Sequence, residues 1–148
     1  MGKRQELSAR GFTLLELVVT LMVLAVAVAL VAPSIGRSTE AIRVRAEVAR
    51  FAALLRHARE QAITTQSVHA FVVDPAAHRV RVVAGDEVRE TRALPEDMIV
   101  EADPPPALSV RFDPEGTSTG GDFHLATGTA RYRVTIDRLT GRVRTERE

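Results

Sequence analysis

The chain has 148 residues, of which 45% are hydrophobic and 4% aromatic, and its formal net charge is +1. This length allows one domain with a modest core, and the composition is not that of a disordered chain. The nearly neutral balance argues against a surface built throughout for nucleic acid, although it allows a local basic patch. Cysteine is absent, which excludes disulfides, cysteine-ligated zinc and thiol chemistry.

The first predicted element is an apolar helix over residues 12–32. At about 1.5 Å per residue this segment is roughly 32 Å long, which matches a hydrocarbon core of about 30 Å. Lys3, Arg4 and Arg10 precede it. The positive-inside bias therefore predicts a single membrane span with a cytoplasmic N-terminus and the remaining chain in the periplasm or the exterior.

Glu16 is an acid inside this apolar segment, and an acid at bilayer depth costs roughly 2.5 to 3.5 kcal/mol. A secretory signal peptide would explain the basic start and the apolar stretch, and a simple signal anchor would explain its length. Neither alternative explains Glu16. A further alternative is a tolerated polar residue that reaches the membrane interface.

Residues 10–16, Arg-Gly-Phe-Thr-Leu-Leu-Glu, resemble the cleavage signal of type IV prepilins and type II secretion pseudopilins. The resemblance implies that a prepilin peptidase removes residues 1–11 as a cytoplasmic leader, cutting between Gly11 and Phe12. It also implies N-methylation of Phe12 and a role for Glu16 in subunit assembly, in which its carboxylate pairs with the N-terminal amine of a neighbour. Such a pair is stronger inside a low-dielectric helical bundle than in water.

The next predicted element is an amphipathic helix over residues 33–66, which continues the first. Pro33 removes one backbone donor, so we expect a kink there. An apolar stripe at helical spacing is predicted to face the core; it consists of Val44, Val48, Phe51, Leu55, Ala58 and Ala62. The opposite charged face is interpreted as solvated, with contacts to neighbouring subunits as the alternative; it carries Arg43, Glu47, Arg50, Arg56 and Glu60.

Residues 67–148 are predicted to form a β-rich domain, because short β-prone runs alternate with proline and glycine turns. The predicted strands are 68–73, 80–83, 88–94, 98–101, 108–112, 123–127 and 131–137. With the helix they predict an α+β fold, in which a long N-terminal helix packs on an antiparallel sheet domain.

Residues 112–121 and 136–144 resemble the GspH/FimT branch of minor pilins and pseudopilins. This resemblance implies a pilin-like fold and a non-catalytic subunit of a type II secretion pseudopilus or a type IV pilus, near the filament tip, supporting protein export or pilus priming. The implied partners are the prepilin peptidase, other pilins or pseudopilins and the inner-membrane assembly platform. The subunit would reside in the bacterial inner membrane before its transfer into the filament.

Catalytic and metal-binding patterns are weak in this sequence, so we expect no enzyme activity, cofactor or metal. The four histidines lack zinc-site spacing, and they are His57, His69, His78 and His124. Asp113, Glu115 and Asp122 surround a glycine-rich loop that could hold calcium, but their spacing is not that of an EF-hand and favours a turn. The serines and threonines have no nucleophile context.

Arginines are dense at the end of the chain, at positions 131, 133, 138, 142, 144 and 147. On an edge strand they would discourage aggregation. The alternative is phosphate contact, because arginine forks match phosphate oxygens. Residues 141–144 resemble the basic C-terminal feature of FimT-like pilins that serve DNA uptake, which makes Arg138, Arg142 and Arg144 candidate DNA contacts.

Overall fold

A computed structural model describes residues 12–105 and 108–148, with the side chains of residues 31–39 outside the description. The chain divides into two compact units, and the boundary lies between Glu40 and Ala41. The predicted leader, including Gly11, lies outside the described residues. The described elements are α1 Leu14–Thr65, β1 His69–Asp74, β2 Arg79–Ala84, β3 Glu87–Ala93, β4 Met98–Asp103, β5 Ser109–Phe112, β6 Gly121–Thr127, β7 Ala130–Ile136 and β8 Val143–Arg147.

Both ends of α1 are closed by hydrogen bonds that the local sequence supplies. At the start, the Thr13 hydroxyl accepts a hydrogen bond from the Glu16 backbone N–H at 3.2 Å, which is an N-cap. At the end, Gln66 has a positive φ of 51°, and the Ser67 N–H donates to the Ala62 carbonyl at 3.2 Å. This is the bonding of a Schellman C-cap.

The backbone of α1 is helical through Pro33, whose side chain lies outside the description, so the kink stays a prediction. The described apolar side chains before it, from Phe12 to Leu30, are exposed. No helix among the described residues is long and apolar enough to cross a membrane. The predicted apolar segment runs to Ala32, whose side chain is outside the description, and it too stays a prediction.

The described strands form two antiparallel four-stranded sheets, with orders β3-β2-β1-β5 and β4-β6-β7-β8. In the first sheet Phe71 lies opposite Val82 and Val110, and in the second Phe123 lies opposite Ala102 and Val134. The strand β8 was not predicted. Its sequence, Val-Arg-Thr-Glu-Arg, has a single apolar residue, because an edge strand needs little burial once it pairs with β7.

The core lies between α1 and the two sheets. Three phenylalanine rings pack edge to face in this core, with centroids 5.1 to 6.0 Å apart: Phe51 of α1, Phe71 of β1 and Phe123 of β6. All six residues of the predicted apolar stripe are buried, which confirms that prediction. The α+β fold with its long N-terminal helix and antiparallel sheets is confirmed as well.

Candidate subunit interfaces

The first candidate interface is the start of α1. Phe12 is 73% exposed and comes two residues before the helix begins. Glu16 lies in the first helical turn, where a carboxylate is favoured by the helix dipole. Its side chain is exposed and has no ion-pair partner among the described residues. A carboxylate in this position is accessible to a cation from another molecule.

The second candidate interface is the turn between β7 and β8, which Asp137 organises. Its Oδ1 accepts hydrogen bonds from the backbone N–H of Leu139 at 3.1 Å, and from the N–H and the hydroxyl of Thr140, both at 2.8 Å. These Thr140 bonds, then the bond from Leu139 and the charge of Arg144, lower the pKa of the Asp137 carboxyl from its ordinary value. The fixed turn presents Leu139, which is 82% exposed.

The three candidate DNA contacts have different neighbours in the structure. The side chain of Arg138 lies against Gly120, and Arg144 lies opposite Thr135 in the register of β7 and β8. Arg142 instead faces a cleft formed with α1. All three are exposed.

This cleft, which we call the arginine cleft, has a volume of about 500 Å³. It is lined by Arg56, Arg59, Glu60, Ile63 and Thr64 of α1 and by Gly141, Arg142 and Val143. Three arginines and one glutamate make its lining positive. Within the described part of the chain, none of the three arginines forms an ion pair.

One wall of the arginine cleft is held by hydrogen bonds from arginine to backbone. The Arg59 Nε donates to the Gly116 carbonyl at 3.1 Å, and the Arg56 Nη2 donates to the Val143 carbonyl at 3.5 Å. Gly141 is buried beside them with a φ of +60°, and an added Cβ would lie 2.4 Å from the Gly116 oxygen. The close approach of these three segments positions the cleft.

Sequence reasoning missed the arginine cleft because it interpreted Arg56 and Glu60 as part of a solvated helix face and left out Arg59. Arg56 and Glu60 form no ion pair in the described part of the chain, and Arg56 bonds to the Val143 carbonyl instead. The sequence did hold a signal for this cleft: Arg56 follows Leu55 and Arg59 follows Ala58, and both of these apolar residues belong to the buried stripe. Residues beside such a stripe lie where a helix meets its sheet.

Arg133, another of the arginines near the end of the chain, is paired with an acid on the second sheet. The Glu148 carboxylate pairs with Arg133 at 2.8 Å and with His124 at 3.1 Å. The hydrogen bond from Arg133, and then the charges of His124 and Arg133, lower the pKa of Glu148. Arg133 is thereby less available to an external anion than Arg142.

The residues considered for metal binding have other roles where the structure describes them. His69 is buried, and its Nδ1 lies 3.0 Å from the Ser67 carbonyl oxygen. The His57 Nε2 lies 2.9 Å from the Gln61 Nε2. The Asp113 carboxylate accepts a hydrogen bond from the Thr117 hydroxyl at 3.2 Å, as expected for a turn. No group of three or more potential metal ligands occurs among the described residues.

Comparison with known proteins gives both the fold and the family. The fold resembles that of the type IV minor pilin FimU of Pseudomonas aeruginosa, with a TM-score of 0.62 at 15% identity, covering 73% of this chain and 91% of that one. It also resembles the minor pseudopilin EpsH of the Vibrio cholerae type 2 secretion system, with a TM-score of 0.56 at 16% identity, covering 70% and 95%. The long helix and the antiparallel sheets therefore form a pilin-like fold.

The sequence comparisons specify the family. Residues 47–140 match the family of the type II transport protein GspH, and residues 7–32 match the prokaryotic N-terminal methylation motif. The type II secretion system protein H of Xanthomonas campestris pv. campestris is 32% identical over 143 residues, covering 91% of this chain and 82% of that protein. The chain belongs to the GspH family of minor pseudopilins and pilins.

Proposed function

We propose that this protein is a non-catalytic minor pseudopilin or pilin, processed by prepilin peptidase and assembled into a type II secretion pseudopilus or a type IV pilus. The observation that carries the proposal is the start of α1, where a methylation motif coincides with exposed apolar side chains and an exposed Glu16. Exposed large hydrophobic side chains from Leu14 to Leu30 need lipid or other helices around them.

In this proposal the peptidase cuts between Gly11 and Phe12, and the new amine on Phe12 is methylated. The subunit waits in the inner membrane as a single span, with its sheet domain in the periplasm. The assembly platform then transfers it into the filament, near the tip, where it supports protein export or pilus priming. During transfer Glu16 pairs with the Phe12 amine of a neighbour, an attraction that the low dielectric of the helical bundle strengthens.

The first experiment measures processing. The full chain is expressed with its prepilin peptidase, and the membrane-fraction protein is examined by intact mass and N-terminal sequencing. We expect a mature chain that starts at methylated Phe12, and an uncut chain for a Gly11→Val variant. A wild-type chain that starts near Pro33, or that keeps Met1, would contradict the proposal.

The second experiment separates processing from assembly. A Glu16→Gln variant keeps the size of the side chain but loses its charge, so we expect normal cleavage and about a tenfold lower recovery in sheared filaments. A Glu115→Gln variant, which removes an exposed acid of the sheet domain, is the control. Equal recovery of the two variants would remove the assembly role of Glu16.

A second candidate function is DNA binding by a minor pilin in DNA uptake. It is favoured by the exposure of Arg138, Arg142 and Arg144, none of which has an ion-pair partner in the described part of the chain. Fluorescence anisotropy with a labelled duplex at several salt concentrations tests it. If all three bind phosphate, the triple glutamine variant should lower the slope of log K against log salt by about 2 to 3. An unchanged slope would reject these contacts.

A further inference from the structure

We propose that the arginine cleft binds a carboxylate side chain of a neighbouring subunit in the filament. The inference rests on the proposed assembly function and adds to it a second contact site, formed by the last turns of α1 and by residues 141–143. It identifies Arg56 and Arg142 as the residues that recognise the neighbour. Arg59 has a supporting role, because its Nε bonds to the Gly116 carbonyl.

The arginine cleft has more hydrogen-bond donors than acceptors. A guanidinium carries five N–H donors. Arg56 and Arg59 each donate to one backbone carbonyl, and the Arg142 side chain has no hydrogen-bond partner among the described residues. Glu60 is the one acid in the lining, and it forms no ion pair with them. The remaining donors favour an external ligand that is anionic and accepts several hydrogen bonds.

Two of the three arginines are held in place before a ligand arrives. The Gly116 and Val143 carbonyls hold Arg59 and Arg56, and the buried Gly141 lets the turn approach the helix closely. Such preorganisation lowers the entropy cost of binding. A bidentate pair between an arginine fork and a carboxylate is the strong form of this interaction.

The shape and chemistry of the cleft favour a protein side chain over a nucleic acid. A DNA duplex presents phosphates in a continuous line and suits an extended basic surface. Here three arginines line a cleft of about 500 Å³, and Ile63 and Val143 contribute an apolar wall to it. An aspartate or glutamate with an apolar neighbour in its own chain matches both kinds of lining.

The experiment uses the full chain in cells that carry the assembly machinery. A photo-crosslinking amino acid replaces Ile63, which lies in the lining and is 37% exposed, and crosslinked peptides are identified by mass spectrometry. We expect a peptide from another pilin or pseudopilin, with an aspartate or glutamate at the crosslinked segment. Crosslinks confined to DNA, to lipid or to a peptide without an acid would overturn the inference.

Charge reversal then tests the contact itself. We expect Arg142→Glu to lower both the crosslink and the recovery in sheared filaments by about tenfold or more. Changing the identified acid of the neighbour to lysine should restore them. Arg147→Glu, at an exposed arginine of β8 outside the cleft, is the matched control. Arg56→Gln is a second, milder variant, and melting temperatures near that of the wild type show that all variants fold.

The outcomes distinguish this inference from the proposed function. If the wild type starts at methylated Phe12 and enters the filament, the assembly function stands. If Arg142→Glu and Arg56→Gln then enter the filament as well as the Arg147→Glu control, the arginine cleft is not a subunit contact and the inference fails alone. If the wild type does not enter the filament, the proposed function fails and the inference fails with it.

Discussion

Gly141 lies where α1, the loop containing Gly116 and the β7–β8 turn come together, and its missing side chain is what allows their contact. Its φ is +60°, close to the +57° of Gly128, which has nothing within 4 Å of an added Cβ. Gly128→Ala should therefore cost only the backbone strain, about 1 kcal/mol. Gly141→Ala adds a clash with the Gly116 oxygen and with Arg59, so we expect about 3 kcal/mol or more.

Urea denaturation followed by circular dichroism measures both alanine variants. Because the two glycines have nearly the same φ, the difference between the two variants reports mainly the packing contact. Equal losses of stability would mean that the turn can move away from the helix at little cost. The hydrogen bonds of Arg56 and Arg59 would then not be enough to hold the turn against α1 and keep the shape of the arginine cleft.

Asp137 makes the stability of the same turn depend on acid pH. Its folded-state pKa is lowered below the ordinary value of 3.8 by its bonds to Thr140 and Leu139 and by Arg144. The charged carboxylate therefore contributes stability that is fully present above about 3.8 and is lost as the pH falls through the folded pKa. We expect wild type and Asp137→Asn to differ in melting temperature by a constant amount at higher pH.

Below pH 3.8 that difference should shrink as Asp137 becomes protonated. Thermal melts across the acid range, together with an NMR titration of the Asp137 carboxyl, provide the measurement. A folded pKa at or above 3.8, or a difference that grows with acidity, would contradict the role assigned to the turn.

The helix α1 is one element with two kinds of surroundings. Its described residues up to Leu30 are exposed, whereas the stripe from Val44 to Ala62 is buried under the sheets. The amphipathic second half of such a helix is stabilised mainly by tertiary packing of its apolar face, and less by helix propensity. The contact between Phe51 and the two sheet phenylalanines is therefore central to the element.

Phe51→Ala should lower the free energy of unfolding by about 3 to 5 kcal/mol, because it leaves a cavity between Phe71 and Phe123. Leu139→Ala removes an apolar side chain that is 82% exposed, so its effect should stay within about 0.5 kcal/mol. Chemical denaturation of both variants tests the contrast. A small loss for Phe51→Ala would show that the helix does not depend on this aromatic cluster.

The whole molecule divides between Glu40 and Ala41, and every buried hydrophobic residue described lies in the second unit, from Val44 onward. A fragment of residues 41–148 should therefore fold without the first unit. We expect its melting temperature to differ from that of the detergent-solubilised full chain by less than about 4 °C, which corresponds to about 1 kcal/mol or less. A much larger loss, or a fragment without near-ultraviolet circular dichroism, would show that the first unit supplies folding energy.

By itself the sequence determined the family resemblance, the long helix, its buried stripe and most of the strands. These features are local: a cleavage signal is read within seven residues, and the periods of 3.6 and 2 appear in short windows. The GspH family match confirms the resemblance, and the burial of Val44 through Ala62 confirms the stripe. The edge strand β8 was missed because its pairing with β7, rather than any apolar alternation, makes it a strand.

Only the tertiary structure decided which arginines line the cleft. Arg56 and Val143 are 87 positions apart along the chain, and their contact depends on the order β4-β6-β7-β8 placing β8 at the edge of its sheet, where Val143 meets the helix. Strand order and helix packing are set by many long-range contacts together, which no local pattern encodes. For that physical reason the sequence showed a basic end, whereas the fold placed Arg142 in one cleft with Arg56 and Arg59 of α1.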